Sequence, residues 1–157
     1  LGAKVIGTAS TDEKRTWVIA QGADHMVDYT QPDWVEQVKQ VTGGSGVNAV
    51  IDGVGGESFI KSFDAIARGG AICVYGASGG RDVNFDITNL YRTSARVLGC
   101  GGNGSTREDF EKTLSMFSTG KLKATVEVTL PLAEAEEAHK SIEERRVIGK
   151  IVLKVAG

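Results

Sequence analysis

Short apolar runs alternate with amphipathic segments along the chain, and glycine-containing turns separate them. The run 71–75 is almost wholly apolar, as expected of a strand covered on both faces. After Pro32, Trp34 and three valines follow at helical spacing. The pattern predicts strands at 4–9, 25–29, 47–52, 71–75, 96–100, 126–130 and 149–155. It predicts helices at 11–21, 30–42, 57–67, 89–94, 105–120 and 132–146.

Two of the predicted helices begin with a residue pattern typical of a capping box. Ser10 is followed three residues later by Glu13, and Ser105 is followed by Glu108. In such a box the hydroxyl accepts from a backbone amide of the first turn, and the acidic side chain bonds back to the cap. We therefore expect Ser10 and Ser105 to be the N-caps.

Strands that alternate with helices indicate the class of fold. Repeated strand–helix–strand units pair in parallel, with right-handed crossovers and helices on both faces of the sheet. The prediction is an α/β fold with a doubly wound parallel sheet, whose strand ends form a ligand crevice. Glycine thins out and charge rises near Gly120. We place a domain boundary there, which divides the chain into residues 1–120 and 121–157.

Composition excludes several classes of function. A net charge of −2 over 157 residues argues against non-specific nucleic-acid binding, which needs positive charge. No apolar run suits a membrane span and no signal peptide is evident. We expect a cytoplasmic protein, with an organelle matrix as the alternative. Cys73 and Cys100 lie in apolar stretches, and we expect buried thiols rather than a disulfide or a metal pair. No Cys/His/Asp cluster has metal-ligand spacing, so no metal is expected.

The end of the first strand carries the clearest candidate chemistry. In a dinucleotide-binding fold, an acidic residue in this region accepts hydrogen bonds from the 2′-hydroxyl of NAD. Here Ser10, Thr11 and Lys14 stand at the start of a helix instead. Hydroxyls, helix amides and an ammonium group together suit an anion, so the pattern indicates a 2′-phosphate pocket and hence NADPH. In the alternative, Ser10 only caps the helix and Lys14 is solvated.

Glycine-rich turns follow three successive predicted strands, at 52–56, 75–80 and 98–102. Glycine makes up 21 of the 157 residues, about twice its usual share of roughly 7%. A glycine allows a backbone to approach a flat ligand closely, although each turn by itself could be a simple tight connection. Three such turns at the same end of the sheet favour a ligand crevice.

Several segments, taken in order, resemble the medium-chain dehydrogenase/reductase superfamily and its zinc-independent quinone oxidoreductase branch. The resemblance covers almost the whole chain and implies a Rossmann-type sheet. The segments that carry it are 2–8, 22–25, 50–56, 69–76 and 149–153.

The resemblance implies an enzyme that transfers a hydride from NADPH to quinones or to related activated carbonyl or enone compounds. It also implies the residues that bind the cofactor. These are Ser10, Thr11, Lys14 and Tyr29 at the 2′-phosphate, Gly53 and Val54 at the adenosine, Gly76, Ala77 and Ser78 along the centre, and Cys100 and Gly101 by the nicotinamide.

Compared with the family, the chain departs from the pattern at its start. The strand and glycine-rich phosphate turn that open the family's cofactor domain are not found, so we expect a fragment that is inactive alone. In a sheet ordered 3-2-1-4-5-6 the missing strand is the middle one, which leaves two edges with no ladder between them. The segment from Lys121 resembles the return into the family's catalytic domain. The resemblance also implies a homodimer through the strand 96–100.

No residue of the chain stands out as a general acid, because the cofactor carries the chemistry. His25 and His139 are the only histidines, and we expect neither to be catalytic. Asp28 and Asp52 end predicted strands and are expected to stabilise turns. Other functions remain open: a non-catalytic nucleotide-binding or interaction domain, or an enoyl reductase of the same superfamily. A methyltransferase-like domain would need an acidic residue near Ala9, where none stands.

Overall fold

The computed structural model describes residues 2–155 and divides them into two compact units, Leu1–Asn103 and Gly104–Gly157. In the first unit the strands are β1 (Ile6–Thr8), β2 (His25–Val27), β3 (Val47–Asp52), β4 (Ile66–Val74) and β5 (Arg96–Gly99). Its helices are α1 (Asp12–Ala20), α2 (Trp34–Val41), α3 (Gly56–Ala65) and α4 (Thr88–Thr93). The second unit holds α5 (Arg107–Ser118), β6 (Val126–Pro131), α6 (Ala135–Glu143) and β7 (Lys150–Lys154).

All the strand pairs are parallel, which confirms the predicted class of fold. β1 pairs with β2, β3 with β4 and β4 with β5, while β6 pairs with β7 in the second unit. Within residues 2–155 no ladder joins β1 to β3. The first unit therefore contains a two-stranded and a three-stranded block rather than one continuous sheet.

A hydrophobic cluster joins the two blocks of the first unit. Val27 at the end of β2 packs with three residues of α2 and with Ala65 at the end of α3. Val47 at the start of β3 lies against the same cluster. A second cluster, centred on Phe63 and Ile72, packs α3 against β4. The first cluster therefore holds the two blocks together, although within residues 2–155 β2 and β3 do not pair with each other.

Both capping predictions were wrong by one residue. Thr11, not Ser10, is the N-cap of α1, and its hydroxyl accepts from the backbone amide of Lys14. Thr106, not Ser105, caps α5 in a complete box with Asp109. In each case a second hydroxyl residue follows the serine, and the later one adopts the extended backbone that a cap requires.

The predicted boundary between the third helix and the fourth strand was also wrong. The helix ends at Ala65, and β4 begins at once with Ile66 rather than at Ala71. Val47 of β3 pairs with Ile66, whereas Ala49 pairs with Ala71, so the strand carries extra residues between these two pairs. Gly69 has a φ of +77°, which allows the backbone to bulge there.

The last predicted helix is shorter than the pattern indicated. A 3₁₀ turn occupies Leu132–Glu134, and α6 follows over Ala135–Glu143. Arg145 takes a left-handed conformation with a φ of +56°, which ends the helix before Arg146. The predicted domain boundary at Gly120 lies just beyond α5. Along the sequence, the first compact unit ends at Asn103 and the second begins at Gly104. The division into 1–120 and 121–157 stays a prediction. None of the helices described over residues 2–155 is both long and apolar enough to cross a membrane.

Candidate functional site

The predicted phosphate residues lie at the carboxyl edge of the β1–β2 pair, and we call Ser10, Thr11, Lys14 and Tyr29 the polar corner. Ser10 and Thr11 connect β1 to α1, and Lys14 is in the first turn of that helix. Tyr29 follows β2, whose last residue accepts a hydrogen bond from Ala9 at 3.2 Å. Topology thus brings the four residues to one edge, at the positive end of the α1 dipole.

An ion pair next to the polar corner was missed by sequence reasoning. Nη1 of Arg15 lies 2.8 Å from Oδ2 of Asp28, and the same guanidinium contacts Asp12 and the carbonyl oxygen of Ala9. The hydroxyl and amide of Thr30 donate to Asp28 and, with help from Arg15, hold the pKa of that carboxyl below its ordinary value. The carboxylate at the end of β2 is therefore already engaged. No local sequence pattern connects Arg15 with Asp28, because the two residues belong to different elements.

The glycine turns after β3 and β4 are joined by hydrogen bonds, chiefly between their backbones. We call residues 53–56 and 76–80 the paired glycine turns. The amide of Gly79 donates to the carbonyl oxygen of Val54 at 2.7 Å, and the Ser78 hydroxyl donates to that of Gly53 at 3.3 Å. A Cβ on Gly76 would lie 2.8 Å from the Gly53 oxygen. Five of the predicted cofactor residues are thus brought together: Gly53, Val54, Gly76, Ala77 and Ser78.

Asp52 organises the first of the paired glycine turns, as predicted for a turn-stabilising carboxylate. Its Oδ1 accepts from the amides of Val54 at 2.8 Å and Gly55 at 3.1 Å. Its side chain is 4% exposed, and within residues 2–155 its Oδ2 has no hydrogen-bond partner. A buried acceptor without a partner costs free energy unless a donor meets it. Asp28 also stabilises its turn, through Thr30.

A small cavity lies between Tyr29 of the polar corner and the paired glycine turns. It has a volume of about 190 Å³, with Tyr29 and Trp34 on one side and Val54, Gly55 and Gly79 on another. An ion pair, Lys61 with Glu57 at 2.9 Å, lies on its wall. Two predicted site residues, Tyr29 after β2 and Val54 after β3, therefore face one space.

The remaining predicted residues lie at the end of β5. Cys100 follows this strand, and its amide donates to the carbonyl oxygen of Val74 at 2.8 Å. Gly101 is exposed, and a Cβ there would meet nothing within 4 Å. The expectation of two buried thiols was wrong, because Cys100 is exposed and Cys73 is only half-buried. No contact in the structure joins Cys100 or Gly101 to the cavity, so their role stays a prediction.

The described part of the chain contains no cluster of side chains suited to binding a metal ion. Over residues 2–155, no three or more His, Cys, Asp or Glu side chains come together in a way that could hold a metal ion. His25 lies at the start of β2, and His139 lies on α6.

Comparison with known proteins identifies the family. A family model described as zinc-binding dehydrogenase matches residues 21–153. The chain is 37% identical over 161 residues to a 2-haloacrylate reductase of Burkholderia sp, covering 98% of this chain and 48% of that protein. It is 33% identical over 165 residues to quinone oxidoreductase 1 of Escherichia coli (strain K12), covering 98% and 50%.

A solved structure agrees with these matches. The crystal structure of an NAD-dependent alcohol dehydrogenase superimposes with a TM-score of 0.91 at 38% identity, covering 99% of this chain and 45% of that one. The chain belongs to the medium-chain dehydrogenase/reductase superfamily, in its quinone oxidoreductase-like branch, and its fold is of the Rossmann type. It spans about half the length of the curated relatives it matches.

Proposed function

We propose that this chain is the NADPH-binding part of an oxidoreductase that passes a hydride to quinones or related activated carbonyl or enone substrates. The observation that carries the proposal is the cavity in which Tyr29, a member of the polar corner, faces Val54, Gly55 and Gly79 of the paired glycine turns. The named reductases among the relatives support the reaction class. The zinc-independent character of the branch is part of the proposal.

The residues fit a dinucleotide in three respects. The start of α1 offers hydroxyls and a positive helix end, which suit the 2′-phosphate of NADPH. The cavity is smaller than the ~300–1,000 Å³ of typical ligand pockets, so it suits one ring system such as the adenine. The paired glycine turns present backbone without side chains, which allows close approach of the rest of the cofactor.

The roles of the chain's own residues are binding and orientation. The bound nicotinamide would supply the hydride, as in other enzymes that use this cofactor. Thr11 and Lys14 would hold the phosphate, Tyr29 and Val54 would contact the adenosine, and Gly76 would leave room along the centre. Cys100 and Gly101 would lie by the nicotinamide ring.

The choice between NADPH and NADH is the sharpest test of the polar corner. The alcohol dehydrogenase that superimposes well is named as NAD-dependent, so the alternative is a site for NAD. Isothermal titration of the purified protein with both cofactors should show tighter binding of NADPH. Lys14→Ala should weaken NADPH binding about tenfold, or ~1.4 kcal/mol, and leave NADH binding unchanged.

Lys39→Ala is the matched control, because Lys39 is an exposed lysine on α2 away from the cavity. It should bind both cofactors as the native protein does. A native preference for NADH, or equal loss of affinity in both lysine variants, would remove the phosphate site. Tight NADPH binding with no turnover of any quinone or enone in the whole protein would favour a non-catalytic nucleotide-binding domain.

A homodimer through β5 is a further part of the proposal. Over residues 2–155, β5 pairs only with β4, and Val97 and Leu98 are each 44% exposed. A strand edge with apolar side chains is a ready template for pairing with a second chain. Sedimentation velocity of the protein should show a dimer that Val97→Lys dissociates. Val83→Lys, at an exposed valine in the loop after β4, should remain dimeric; a native monomer would contradict the idea.

A further inference from the structure

The two cysteines of the chain lie at the carboxyl end of the three-stranded block. Cys73 is in β4 and pairs with Leu98 of β5. Cys100 directly follows β5, and its amide continues the ladder by donating to the carbonyl oxygen of Val74 at 2.8 Å. Because side chains two apart along an extended chain point to the same face, this geometry places both thiols on one face of the block.

The electrostatics agree with two thiols that lie near each other. Interaction with Cys73 raises the pKa of the Cys100 thiol, chiefly by hydrogen bonding, with smaller contributions from burial and from the charge of Cys73. The amide of Cys100 is bonded to the carbonyl oxygen of Val74, which fixes its position beside β4. The Cys100 sulfur also lies 3.9 Å from the carbonyl oxygen of Leu98.

The surroundings allow the pair to close. Disulfides need Cα atoms about 4.4–6.8 Å apart, whereas diagonal neighbours on adjacent strands lie roughly 7–8 Å apart, so closure needs a small backbone adjustment. Cys100 lies just outside β5 and is followed by Gly101 and Gly102. A Cβ at either glycine would meet nothing within 4 Å, so the space around this segment leaves room for that adjustment. Cys100 is exposed, so a reagent can reach its thiol, whereas Cys73 is half-buried.

We propose that Cys73 and Cys100 form a modification site that closes to an internal disulfide on reaction with a low-molecular-weight disulfide. The Cys100 thiolate attacks one sulfur of the reagent, forms a mixed disulfide and expels one thiolate. The Cys73 thiolate then attacks the Cys100 sulfur and expels the second thiolate. Two protein thiols are oxidised by two electrons, the reagent is reduced to two thiols, and the two protons from the protein go to those thiols.

Closure would tie the ends of β4 and β5 together beside Tyr75 and Gly76. An effect of closure on cofactor binding rests on the proposed function, since it assumes that Cys100 lies by the nicotinamide. The thiol reaction itself does not, because it is measured without any cofactor. Failure of the disulfide and failure of the NADPH site are therefore separate results.

The experiment treats the purified, reduced protein with glutathione disulfide and follows it by intact mass and peptide mapping. Mildly alkaline conditions are used because the thiolate is the attacking species and the pKa of Cys100 is raised. The native protein should lose two hydrogens and yield a peptide that joins Cys73 to Cys100. Cys73→Ser should instead accumulate one stable glutathione adduct on Cys100. Cys100→Ser should stay largely unmodified, because Cys73 is half-buried.

The native protein answers the question even if a variant fails to fold. A stable glutathione adduct on native Cys100 would show that the two sulfurs do not meet. A protein that stays fully reduced would show that Cys100 is not a reactive site. A disulfide between two chains in place of the internal one would overturn the proposal as well.

Discussion

The polar corner, through Tyr29, and the paired glycine turns border one cavity but are built in different ways. At the polar corner and in the ion pair next to it, side chains make the stabilising contacts. Thr11 caps α1, and Asp28 is bonded to Thr30 and Arg15. In the turns, backbone bonds such as that from Gly79 to Val54 define the shape. A side-chain site tolerates replacement at a modest cost and can be retuned, whereas a backbone site excludes almost every change. We expect ligand selectivity to reside in the corner and the shape of the crevice to reside in the turns.

The largest expected effect is in the turns. Gly55 has a φ of +68° and a ψ of −155°, a region that only glycine adopts readily. A Cβ there would also lie 2.6 Å from the carbonyl oxygen of Gly80. Gly55→Ala should therefore lower the free energy of unfolding by about 2–3 kcal/mol, measured by urea denaturation.

Gly99→Ala is the matched control for this change, because Gly99 lies in β5 and a Cβ there meets nothing within 4 Å. Its effect should stay within about 0.5 kcal/mol. If the two alanine variants proved equally stable, the backbone contacts would not define the turns, and the contrast between the two regions would be lost.

A smaller effect is expected at the corner, where one cap can be removed. Thr11→Ala should cost about 1 kcal/mol of stability, because the amide of Lys14 loses its acceptor. Thr11→Ser keeps the hydroxyl and should retain most of that stability. Ser10→Ala should change little, since Ser10 is not the cap. A larger loss for Ser10→Ala than for Thr11→Ala in thermal unfolding would restore the capping box expected from the sequence.

The smallest effect concerns the pH dependence of stability. The pKa of Asp28 is lowered on folding, chiefly by the hydrogen bonds of Thr30. A lowered pKa contributes stability above the ordinary value of 3.8, and that contribution is lost as the pH falls through the folded pKa. Asp28→Asn should therefore be less stable than the native protein near neutrality and should lose less stability below about pH 4.

Urea unfolding over a series of acidic pH values measures this difference. Asp64→Asn, which removes an exposed carboxylate of α3, serves as the control and should follow the native curve. Parallel curves for Asp28→Asn and the native protein would show that the bonds of Thr30 and Arg15 do not stabilise the charged carboxylate in the folded state.

The elements that the sequence predicted best are those whose pattern has one interpretation. β3 was predicted at its observed bounds, Val47–Asp52, because apolar residues run up to an aspartate and a glycine turn. The helix starts at Thr11 and Thr106 were missed by one residue, since adjacent hydroxyls fit a cap equally well. The early start of β4 was missed because Gly69 and Gly70 resemble the end of a helix, whereas they form a bulge within a strand.

The candidate site was predicted in part for a similar reason. A glycine-rich turn can be recognised directly in the sequence, so the residues Gly53, Val54 and Gly76 to Ser78 were all predicted as site residues. Contacts between distant side chains leave no local pattern, and the pair of Arg15 with Asp28 was therefore missed. The exposure of Cys100 was missed too, because an apolar run does not reveal that its strand lies at the edge of a block.

The bulge in β4 separates two parts of the strand that differ in their pairing. From Ala71 onward the strand is in register with both neighbouring strands, and Ala71 pairs with Ala49 on one side and with Arg96 on the other. Gly69 is exposed and has open space around it. A residue added at Gly69 would lengthen the bulge at the amino end of the strand and leave Gly76 at the opposite end where it is. This point of the chain is where a label or an affinity sequence could be inserted without disturbing the crevice.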